Sequence, residues 1–327
     1  MRVAPAFWAR PPGLLSELLL PVGAGWDAAG RLRQALSRPY RPPVPVVCVG
    51  NLVAGGAGKT PVALALAEYL VSRGIAVHIV TRGYSGRLGG PVRVDPARHD
   101  AAAVGDEALL LAARAPCWVA RDRADGVRAA VAAGAQMAVL DDGFQNPGIA
   151  KTLSLLVVDA AYGFGNGRVI PAGPLRESLA RGLARADAIV LLATETHARG
   201  AGAPGMDTGL PMLHAILRPV AGERLAGRRL LAFAGIGRPE KFFEALRALG
   251  AELVGTRPFA DHHPFRAGEI EQLLRAAERA QARLITTTKD IVRVPAPMRS
   301  PIEVLEVEIG WRDPEALAEL IGPVAGT

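Results

Sequence analysis

From Val44 onward, short apolar runs alternate with longer segments in which apolar residues recur at helical spacing. The short runs predict strands that are buried on both faces, and the longer segments predict helices that cover them. Regular alternation of this kind predicts an α/β fold with a parallel sheet between two layers of helices. The first set comprises predicted strands at 44–49, 75–81, 117–120, 137–140, 153–159 and 188–192 and predicted helices at 60–73, 105–115, 123–133 and 175–185.

A second, shorter set of elements follows a turn-rich connection at 219–227. Residues 195–211, which precede this connection, are rich in Gly, Ala and Pro and predict a loop. The second set comprises predicted strands at 230–234, 252–256, 284–287 and 302–309 and predicted helices at 239–249, 267–280 and 313–321. The chain therefore predicts three regions, which are an N-terminal arm at 1–43, a larger α/β domain at 44–219 and a smaller α/β domain at 220–327.

The arm at 1–43 combines leucine and aromatic side chains with six arginines and only two acidic residues. Glu17 and Pro21 interrupt its best apolar run, so the arm predicts neither a helix that spans a bilayer nor a signal peptide. Two interpretations remain open. The arm forms a helix packed on the body of the protein, or it forms an amphipathic helix in a membrane interface, with Trp and Leu inward and Arg at the headgroups.

Bulk composition narrows the classes of partner. Half of the 327 residues are hydrophobic, which predicts a folded protein with substantial cores. The net charge is +7 and the pI about 10, yet the chain has no Lys/Arg blocks and few aromatic residues to stack bases. An arginine-rich surface, an anionic substrate or a membrane surface explains this charge better than nucleic acid does. Cys48 and Cys117 lie far apart in apolar runs, which predicts buried thiols in a reducing compartment.

A glycine-rich segment at 50–60 joins the first predicted strand to the first predicted helix. Such a turn binds phosphate, because glycines let backbone N–H groups approach the oxygens and the helix N-terminus adds a positive dipole. Lys59 would reach the outer phosphates, and the Thr60 hydroxyl would hold Mg²⁺. The predicted nucleotide-binding residues are Gly55, Gly56, Ala57, Gly58, Lys59 and Thr60.

The loop departs in one respect from the pattern G-x-x-x-x-G-K-[ST], which would place its first glycine at Val53. The alternative interpretation is therefore a glycine-rich turn with an incidental lysine. Only four of the 38 basic residues are lysine, however, so Lys59 stands where the chain normally uses arginine. A compact ammonium suits a phosphate cradle better than a forked guanidinium, which favours phosphate binding.

Two acids, Asp141 and Asp142, directly follow the predicted strand at 137–140. Beside a phosphate loop, an acid at the end of a neighbouring strand binds Mg²⁺ or its water ligands. The alternative role is a polar strand end that caps a turn or helix. With the loop present, the sequence favours metal binding by Asp141 and Asp142, and Glu107 is a further candidate ligand.

Asp106 lies at the start of the predicted helix 105–115, where its simpler role is to complement the helix dipole. Phosphoryl transfer to a hydroxyl, however, needs a carboxylate that orients the acceptor and takes its proton. Asp261-His262-His263 follows a strand of the second region. Adjacent residues of an extended chain point to opposite faces, so we expect one histidine, not both, to complete a site across the interdomain cleft.

Four further side chains are candidate contacts to phosphate or substrate. Arg176 and Glu177 lie near a predicted helix start, where Arg176 could steady phosphate charge. Lys289 follows a predicted strand and is another of the rare lysines, and Arg82 lies in a glycine-rich turn after the strand at 75–81. The guanine-reading pattern N-K-x-D is absent, which argues against a GTPase.

Eight short motifs occur along the chain in a fixed order. They are Gly50-Asn51-Leu52, Gly55-Gly56-x-Gly58-Lys59-Thr60-Pro61, Thr81-Arg82-Gly83-Tyr84, Gly105-Asp106-Glu107, Asp141-Asp142-Gly143-Phe144-Gln145, Pro171-Ala172-Gly173-x-Leu175-Arg176-Glu177, Asp261-His262 and Thr288-Lys289-Asp290. With this ordered set, which spans nearly the whole chain, the sequence resembles the tetraacyldisaccharide 4′-kinase (lipid A 4′-kinase) family. The shifted glycines of the loop belong to that family as well. One departure is Asn146, where the family often has His, so the role of position 146 stays open.

The resemblance implies transfer of the γ-phosphoryl group of ATP, with Mg²⁺, to the 4′-hydroxyl of tetraacyldisaccharide 1-phosphate, which gives lipid IVA. It implies a P-loop NTPase-like α/β/α domain with a second, smaller α/β/α domain, and it implies Asp106 as catalytic base paired with His262. It also implies a peripheral protein on the cytoplasmic face of the inner membrane of a Gram-negative cell.

An acylated disaccharide stays in the bilayer, because each buried CH₂ contributes about 0.8 kcal/mol of membrane affinity. The resemblance therefore favours the interfacial interpretation of the arm. The alternative function is an ATPase or GTPase in which nucleotide drives a conformational change. A nucleic-acid-stimulated ATPase is a third reading that rests only on the pI.

Overall fold

The computed structural model describes residues 5–194 and 208–326, which form one sheet of nine strands and one of four within these ranges. The helices are α1 Leu14–Leu18, α2 Leu20–Ala35, α3 Lys59–Ser72, α4 Ala101–Val104, α5 Asp106–Ala112, α6 Arg123–Ala132, α7 Leu179–Leu183, α8 Pro239–Ala248, α9 Ala267–Arg279, α10 Thr288–Ile291 and α11 Pro314–Ala325. The strands are β1 Val46–Gly50, β2 Val77–Thr81, β3 Val92–Arg93, β4 Cys117–Val119, β5 Met137–Asp141, β6 Leu153–Asp159, β7 Ala188–Thr194, β8 Met212–Pro219, β9 Arg229–Ala234, β10 Glu252–Pro258, β11 Arg283–Thr287, β12 Ile302–Leu305 and β13 Val307–Trp311. Short 3₁₀ helices lie at Ala6–Ala9, Gly222–Leu225 and Ala296–Met298.

The larger sheet has the strand order β13-β8-β7-β6-β1-β5-β2-β4-β3. Its inner strands pair in parallel, and β3 and β13 pair antiparallel at the two edges. The chain builds β2, β4 and β5 on one side of β1 and β6, β7 and β8 on the other. Ligands of such sheets bind at the carboxyl ends of the strands where the order reverses, which here is the end of β1.

The smaller sheet has the order β10-β9-β11-β12, and all its strands are parallel. Phe243 and Leu246 of α8 pack on one face of β9, while Ile270 and Leu273 of α9 pack with Phe233 on the other. Successive strand residues point to opposite faces, so each helix covers its own set of apolar side chains. The prediction of parallel α/β layers is confirmed for both sheets.

The end of the chain returns to the larger sheet. The predicted single strand at 302–309 is two strands, because β12 lies in the smaller sheet and β13 pairs antiparallel with β8. The side chains of Leu317 and Ile321 in α11 are buried in the core of the larger sheet. We propose a boundary between the two α/β domains at residue 220. Beyond the smaller sheet, β13 and α11 return to pack on the larger domain. The predicted loop at 195–211 lies mostly outside the described residues.

The predicted helix at 175–185 is shorter in the structure and starts at Leu179. The residues before it make other hydrogen bonds, since Leu175 bridges to Val53 and Arg176 N donates to Leu52 O at 2.7 Å. These bonds hold the segment extended against the glycine-rich loop. A helix cannot form there without breaking them.

The N-terminal arm packs on the segment 166–182 through buried polar groups. The Ser16 hydroxyl donates to Ala172 O at 2.7 Å, and the carboxylate of Asp27 accepts from Ser178 N at 2.9 Å. Both residues are buried, although large apolar side chains of the same two helices are exposed. The arm is thus part of the folded body.

The other side of the arm exposes large apolar side chains, each more than half accessible to solvent. They are Leu14, Leu15, Leu18, Val22, Trp26, Leu32 and Leu36. The i, i+4 spacing from Leu14 to Trp26 places them along one stripe of the helical path. Exposed apolar stripes of this kind mark interaction surfaces. Among the described helices, none combines the length and apolar character that a bilayer crossing requires.

Candidate active site

The loop after β1 presents bare backbone to open space. Gly58 has φ 81° just before α3, and a Cβ at this position would lie 2.2 Å from Leu192 Cδ2. Gly55 has φ 119°, and a Cβ on Gly55 or Gly56 would meet nothing within 4 Å. The loop therefore needs glycine at one position for space and offers phosphate oxygens an unobstructed approach at the others.

Lys59 and Thr60, the first residues of α3, face the carboxylates at the end of β5. Because β5 pairs in parallel with β1, Asp141 lies opposite Val49 and beside the loop. Thr60 Oγ1 donates to Asp141 Oδ2 at 3.3 Å, and Lys59 Nζ lies 3.8 Å from Asp142 Oδ2. Burial lowers the pKa of Lys59, and the charge of Asp142 opposes that shift. An incoming phosphate would stabilise the ammonium further.

The carboxylate of Asp141 is suited to bind a cation. Burial, and then the charges of Glu107 and Asp142, raise the pKa of Asp141 to about 7. Its Oδ1 is buried without a hydrogen-bond partner among the described residues. A hydroxyl, one or two carboxylates and the phosphates themselves are the usual donors to Mg²⁺ in phosphate-loop proteins. The side chains of Thr60 and Asp141 therefore fit this ion.

The described part of the chain does not supply a metal site made of protein side chains alone. Within 5–194 and 208–326, no group of three or more His, Cys, Asp or Glu side chains could hold a metal ion. The ion would instead take much of its coordination from phosphate and water, as Mg²⁺ commonly does.

Asp142 connects the loop lysine to Arg176. Arg176 Nη1 and Nη2 donate to the two oxygens of Asp142 at 2.9 and 3.3 Å, and Nη1 also donates to Gln145 Oε1 at 3.3 Å. Burial alone would raise the pKa of Asp142, but the charges of Lys59 and Arg176 lower it below its ordinary value. An ionised carboxylate is thus shared by two cations at the mouth of the loop.

Glu177 points away from this cluster and is 1% exposed. Its carboxylate accepts from Arg181 Nε at 3.0 Å, from Arg185 and from Gln145 Nε2 at 3.3 Å. With these partners Glu177 holds the structure behind Arg176 rather than reaching the loop. We therefore interpret it as a scaffold residue.

Position 146, which the sequence left open, serves the local turn. Asn146 Oδ1 accepts from Gly148 N at 2.7 Å, and Asn146 O accepts from Lys151 Nζ at 2.7 Å. These bonds turn the side chain back on its own backbone, as asparagine commonly does.

The structure brings Asp106 and His262 together from the two sheets. Asp106 is the first residue of α5 and is 3% exposed, and its Oδ2 lies 2.9 Å from His262 Nδ1. Gly105 precedes it with φ 90°, and a Cβ there would lie 2.4 Å from Tyr84 O. His262 itself has φ 58°, a left-handed conformation that is uncommon outside glycine. Both residues are therefore held by restrictive backbone geometry.

The carboxylate of Asp106 is kept ionised. Burial alone would raise its pKa, but the hydrogen bond with His262 and the charges of Lys289 and Arg293 lower it below its ordinary value. Arg293 is itself buried, with its Nε 3.2 Å from Asp106 Oδ2. An ionised carboxylate in a fixed direction can orient a hydroxyl and receive its proton.

Lys289 links Glu107 to His262. Its Nζ lies 3.0 Å from Glu107 Oε1 and 3.4 Å from His262 Nε2. Burial would lower the pKa of Lys289, but Glu107 and other nearby acids raise it. Because an ammonium can only donate, His262 Nε2 accepts in this arrangement, and Nδ1 carries the proton that faces Asp106. Glu107 is committed to this ion pair, although its charge also acts on Asp141 and Lys59.

The two halves of the site approach each other at Gly237. A Cβ at this position would lie 4.0 Å from Gly56 N and 3.6 Å from Asp261 Oδ2. The loop after β9 therefore bridges between the glycine-rich loop and the residue that precedes His262. Asp261 Oδ1 is buried without a hydrogen-bond partner among the described residues, so this junction has room for a further donor.

Arg82 lies exposed on the turn after β2. Within the described ranges, no ion pair or hydrogen bond of its guanidinium is found. It lies close enough to Arg123 for their charges to repel. An exposed guanidinium that has no counter-ion among the described residues is suited to an anionic ligand.

Two features of the site were not predicted. Arg293 follows Lys289 by one helical turn, a spacing that could have suggested a second cation on the same side. Asp159 ends β6, and Lys241 Nζ and Arg238 Nη1 lie 2.6 and 3.3 Å from its Oδ2. The rule that acids at strand ends approach the ligand would have found Asp159, because β6 is the other neighbour of β1.

A cleft lies on the Asp159 side of the loop. Its wall contains the loop backbone and two aromatic side chains, and Arg238 stacks on Tyr162 with its Cζ 4.3 Å from the ring centroid. The cleft is lined by Leu52, Val53, Ala54, Gly55, Gly56, Ala57, Val157, Val158, Asp159, Tyr162, Gly163, Phe164 and Arg238. The guanidinium of Arg238 thus covers one face of the Tyr162 ring on this side of the loop.

Comparison with known proteins gives consistent matches along the chain. The family model described as tetraacyldisaccharide-1-P 4′-kinase matches residues 15–324. Tetraacyldisaccharide 4′-kinase from Rhodospirillum centenum is 58% identical and aligns over 98% of this chain and 96% of the relative. The protein of the same name from Paramagnetospirillum magneticum is 53% identical over 97% of each chain.

A solved structure also matches. LpxK from Aquifex aeolicus, determined in complex with ATP, is 26% identical to this chain and superposes with a TM-score of 0.77. The match covers 95% of this chain and 99% of that one. The predicted P-loop NTPase-like α/β fold is thereby confirmed.

Proposed function

The chain belongs to the tetraacyldisaccharide-1-P 4′-kinase family, and from that membership we propose how the residues described above carry out its reaction. The enzyme is a kinase that uses ATP to phosphorylate the 4′-hydroxyl of a tetraacyldisaccharide 1-phosphate. The observation that carries the residue assignment is the pairing of Asp106 with His262 from the other sheet, next to a loop that bears Lys59.

The glycine-rich loop binds the phosphates of ATP in this proposal. Backbone from Gly55 to Gly58 surrounds the phosphate chain, and Lys59 contacts its outer oxygens. Thr60 and Asp141 would hold Mg²⁺, which neutralises charge on the phosphates as the transferred group moves.

Asp106 acts on the acceptor. The 4′-oxygen forms a bond to the γ-phosphorus while the bond from that phosphorus to the β–γ bridging oxygen breaks and ADP departs. The hydroxyl proton passes to Asp106, which is ionised and oriented by the N–H of His262. Because the pKa of Asp106 is low, proton transfer comes late, and the main contribution of Asp106 is to aim the oxygen.

Two arginines neutralise phosphate charge in this scheme. Arg176 lies at the mouth of the loop, where it pairs with Asp142. Arg82 is exposed and has no counter-ion among the described residues. Lys289 holds His262 and Glu107 in place. Each of these contacts supports an anionic transition state, whose charge is spread over the phosphoryl oxygens.

We also propose that the arm binds the enzyme to a membrane surface at the cytoplasmic face of the inner membrane. Its support is the stripe of exposed apolar side chains and the arginines of residues 1–43, together with an acylated acceptor. Acyl chains keep such an acceptor in the bilayer, so the protein has to reach it there. The arm packs on the body through one side and leaves the apolar stripe for the membrane.

The decisive assay uses γ-labelled ATP, Mg²⁺ and tetraacyldisaccharide 1-phosphate in mixed micelles. The proposal predicts label in the lipid fraction, and Lys59→Ala serves as the inactive control. Label that appears only as free phosphate, with or without acceptor, would instead support the alternative of a nucleotide-driven conformational protein.

A further inference from the structure

The segment 174–178 lies between the phosphate loop and the N-terminal arm. On one side, Ala54 N donates to Pro174 O at 2.8 Å and Arg176 N donates to Leu52 O at 2.7 Å. These two bonds fix the segment to the backbone of the loop that we assign to ATP. The position of Arg176 at the mouth of the loop therefore depends on what holds the segment from behind.

The arm holds it from behind. The Trp26 indole donates to Arg176 O at 3.1 Å, and two residues further on Asp27 Oδ1 accepts from Ser178 N at 2.9 Å. Arg176 is thus clamped at its backbone by the arm and the loop. Its side chain extends from this clamp to Asp142.

Asp27 is an unusual residue for an exposed arm. Its side chain is 5% accessible, while the neighbouring Trp26 is 57% exposed. Burial alone would raise the pKa of Asp27, but the bond from Ser178 N and the charges of Arg181 and Arg31 lower it. A buried carboxylate is costly unless each oxygen has a partner, and here Oδ1 and Oδ2 are both satisfied. An apolar residue would be the simpler choice if packing were the only role of the position.

Arg181 extends the contact. It lies 3.2 Å from Asp27 Oδ1 and donates to Glu177 at 3.0 Å. A Cβ on Gly30 of α2 would lie only 3.1 Å from Arg181 Nη2, so the arm closes directly over this guanidinium. The charged side chains of Asp27, Arg181 and Glu177 form a continuous row behind Arg176, in which Asp27 and Glu177 are buried and Arg181 is partly exposed.

We infer that Asp27 is a positioning residue of the phosphate site, through which the membrane-facing arm fixes the guanidinium of Arg176. The arm is then both the membrane contact and the rear wall of the active site. This inference rests on the proposed function, because it assigns Arg176 to the phosphates. It adds that the geometry of the site depends on a side chain of the arm that does not itself touch substrate.

The test is a double-mutant cycle between Asp27→Asn and Arg176→Ala, read as kcat with acceptor in mixed micelles. Asp27→Asn alone is expected to lower kcat about tenfold, because displacements near 1 Å at a reacting site cost up to about 100-fold. In the Arg176→Ala background the effect of Asp27→Asn is expected to fall below about twofold, since the residue then has nothing to position. A loss that is the same in both backgrounds would mean a purely structural role and would overturn the inference.

The matched control is Glu17→Gln. Glu17 pairs with Arg168 at 2.9 Å, so it too joins the arm to the body of the protein, but both side chains are more than a third exposed and the pair involves neither Arg176 nor Ser178. This variant is expected to leave kcat unchanged and to show no coupling with Arg176→Ala. Coupling as large as that of Asp27→Asn would assign the effect to the arm in general and would count against Asp27.

Two further measurements keep the inference testable. If Asp27→Asn melts before the assay temperature, Trp26→Phe removes only the bond to Arg176 O and is expected to lower kcat about threefold, with coupling of the same sign.

Calorimetric titration with Mg-ATP needs no acceptor, so it separates this inference from the proposed reaction. Asp27→Asn is expected to weaken ATP binding with Arg176 present and not in Arg176→Ala, and equal weakening in both backgrounds would refute it even in a protein that transfers label normally. Binding of Asp27→Asn and Arg176→Ala to anionic vesicles is expected to equal that of the wild type.

Discussion

Replacing Asp106 by Asn removes one charge and one proton acceptor with little change in shape. His262 Nδ1 can still donate to the amide oxygen at this position, where it now lies 2.9 Å from Oδ2. The amide cannot take the acceptor proton, however, so the hydroxyl loses the group that aims it. A positioned acid or base contributes about 10²–10⁴ in rate, which at about 1.4 kcal/mol per decade is about 3–5 kcal/mol of barrier.

The fold should survive the change. Arg293 keeps the charge of Asp290, 2.6 Å from its Nη2, and donates to Gly235 O at 2.9 Å. We expect a loss of about 1–3 kcal/mol in the free energy of unfolding, the usual cost when a buried charged group loses one partner. The phosphates of ATP lie at Lys59 in the proposed site, so the KM for ATP should change little.

The pH dependence follows from the lowered pKa of Asp106. A carboxyl group whose pKa is lower in the folded state stabilises the protein above its unfolded pKa of about 3.9 and loses that contribution as pH falls through the folded value. The difference in unfolding free energy between wild type and Asp106→Asn should therefore be constant from pH 5 to 7 and shrink below about pH 4.

The assay measures label transfer at saturating ATP, with unfolding followed separately by denaturant. Asp100→Asn is the matched control, because Asp100 caps α4 through Ala103 N and Asn caps helices equally well. It should retain wild-type kcat. A kcat for Asp106→Asn within about threefold of wild type would refute the role of the carboxylate, since even the low end of base catalysis is about 10²-fold.

Three more outcomes follow from the structure. Lys59→Ala should raise the KM for ATP and lower kcat by at least about 10²-fold, because the ammonium contacts charge that grows in the transition state, and steady-state kinetics with varied ATP would detect both changes. Asp141, whose pKa is raised to about 7, is largely protonated at pH 6, so Mg²⁺ binding there should release close to one proton and weaken as pH falls. Calorimetry in buffers of different ionisation enthalpy measures this proton release. Mg²⁺ binding that releases no proton would remove Asp141 from the ligands of the ion. Leu14→Ser with Leu18→Ser should lower partitioning into vesicles at least about tenfold, because each buried leucine contributes about 1.5–3 kcal/mol, and unchanged sedimentation with vesicles would move the membrane contact elsewhere.

The sequence predicted well those parts of the site that follow strand ends. Asp141 is the last residue of the buried strand β5, Lys59 follows the loop that leaves the buried strand β1, and parallel strands deliver their ends to one edge of the sheet. The prediction that only one histidine of Asp261-His262-His263 faces the site agrees with the structure, in which His263 pairs with Glu269 instead. Periodicity and strand order are enough for these features.

Features that depend on packing were not visible in the pattern. The run at 302–309 contains no Gly or Pro, and its alternation of apolar and polar residues slips only once, at Val304-Leu305, directly before the change of sheet at Glu306. β8 was not predicted, since its exposure follows no clean period and it ends at Pro219. Arg176 and Glu177 are adjacent and equally polar, yet one reaches the loop mouth and the other is buried behind it. Only the hydrogen bonds of the extended segment decide which of the two side chains faces the loop and which is buried.

The pairing of β13 with β8 makes the smaller sheet an insertion in the chain. Pro219 and Val307 lie opposite each other in the register, so the polypeptide leaves and re-enters the larger sheet at neighbouring points, about 5 Å apart. A tight turn that joins these two points would excise the whole insert and still leave the remaining strands in their order. Such a shortened protein would keep the glycine-rich loop, but Asp106 would lose the imidazole of His262 and the guanidinium of Arg293. A single internal deletion would therefore separate nucleotide binding from catalysis.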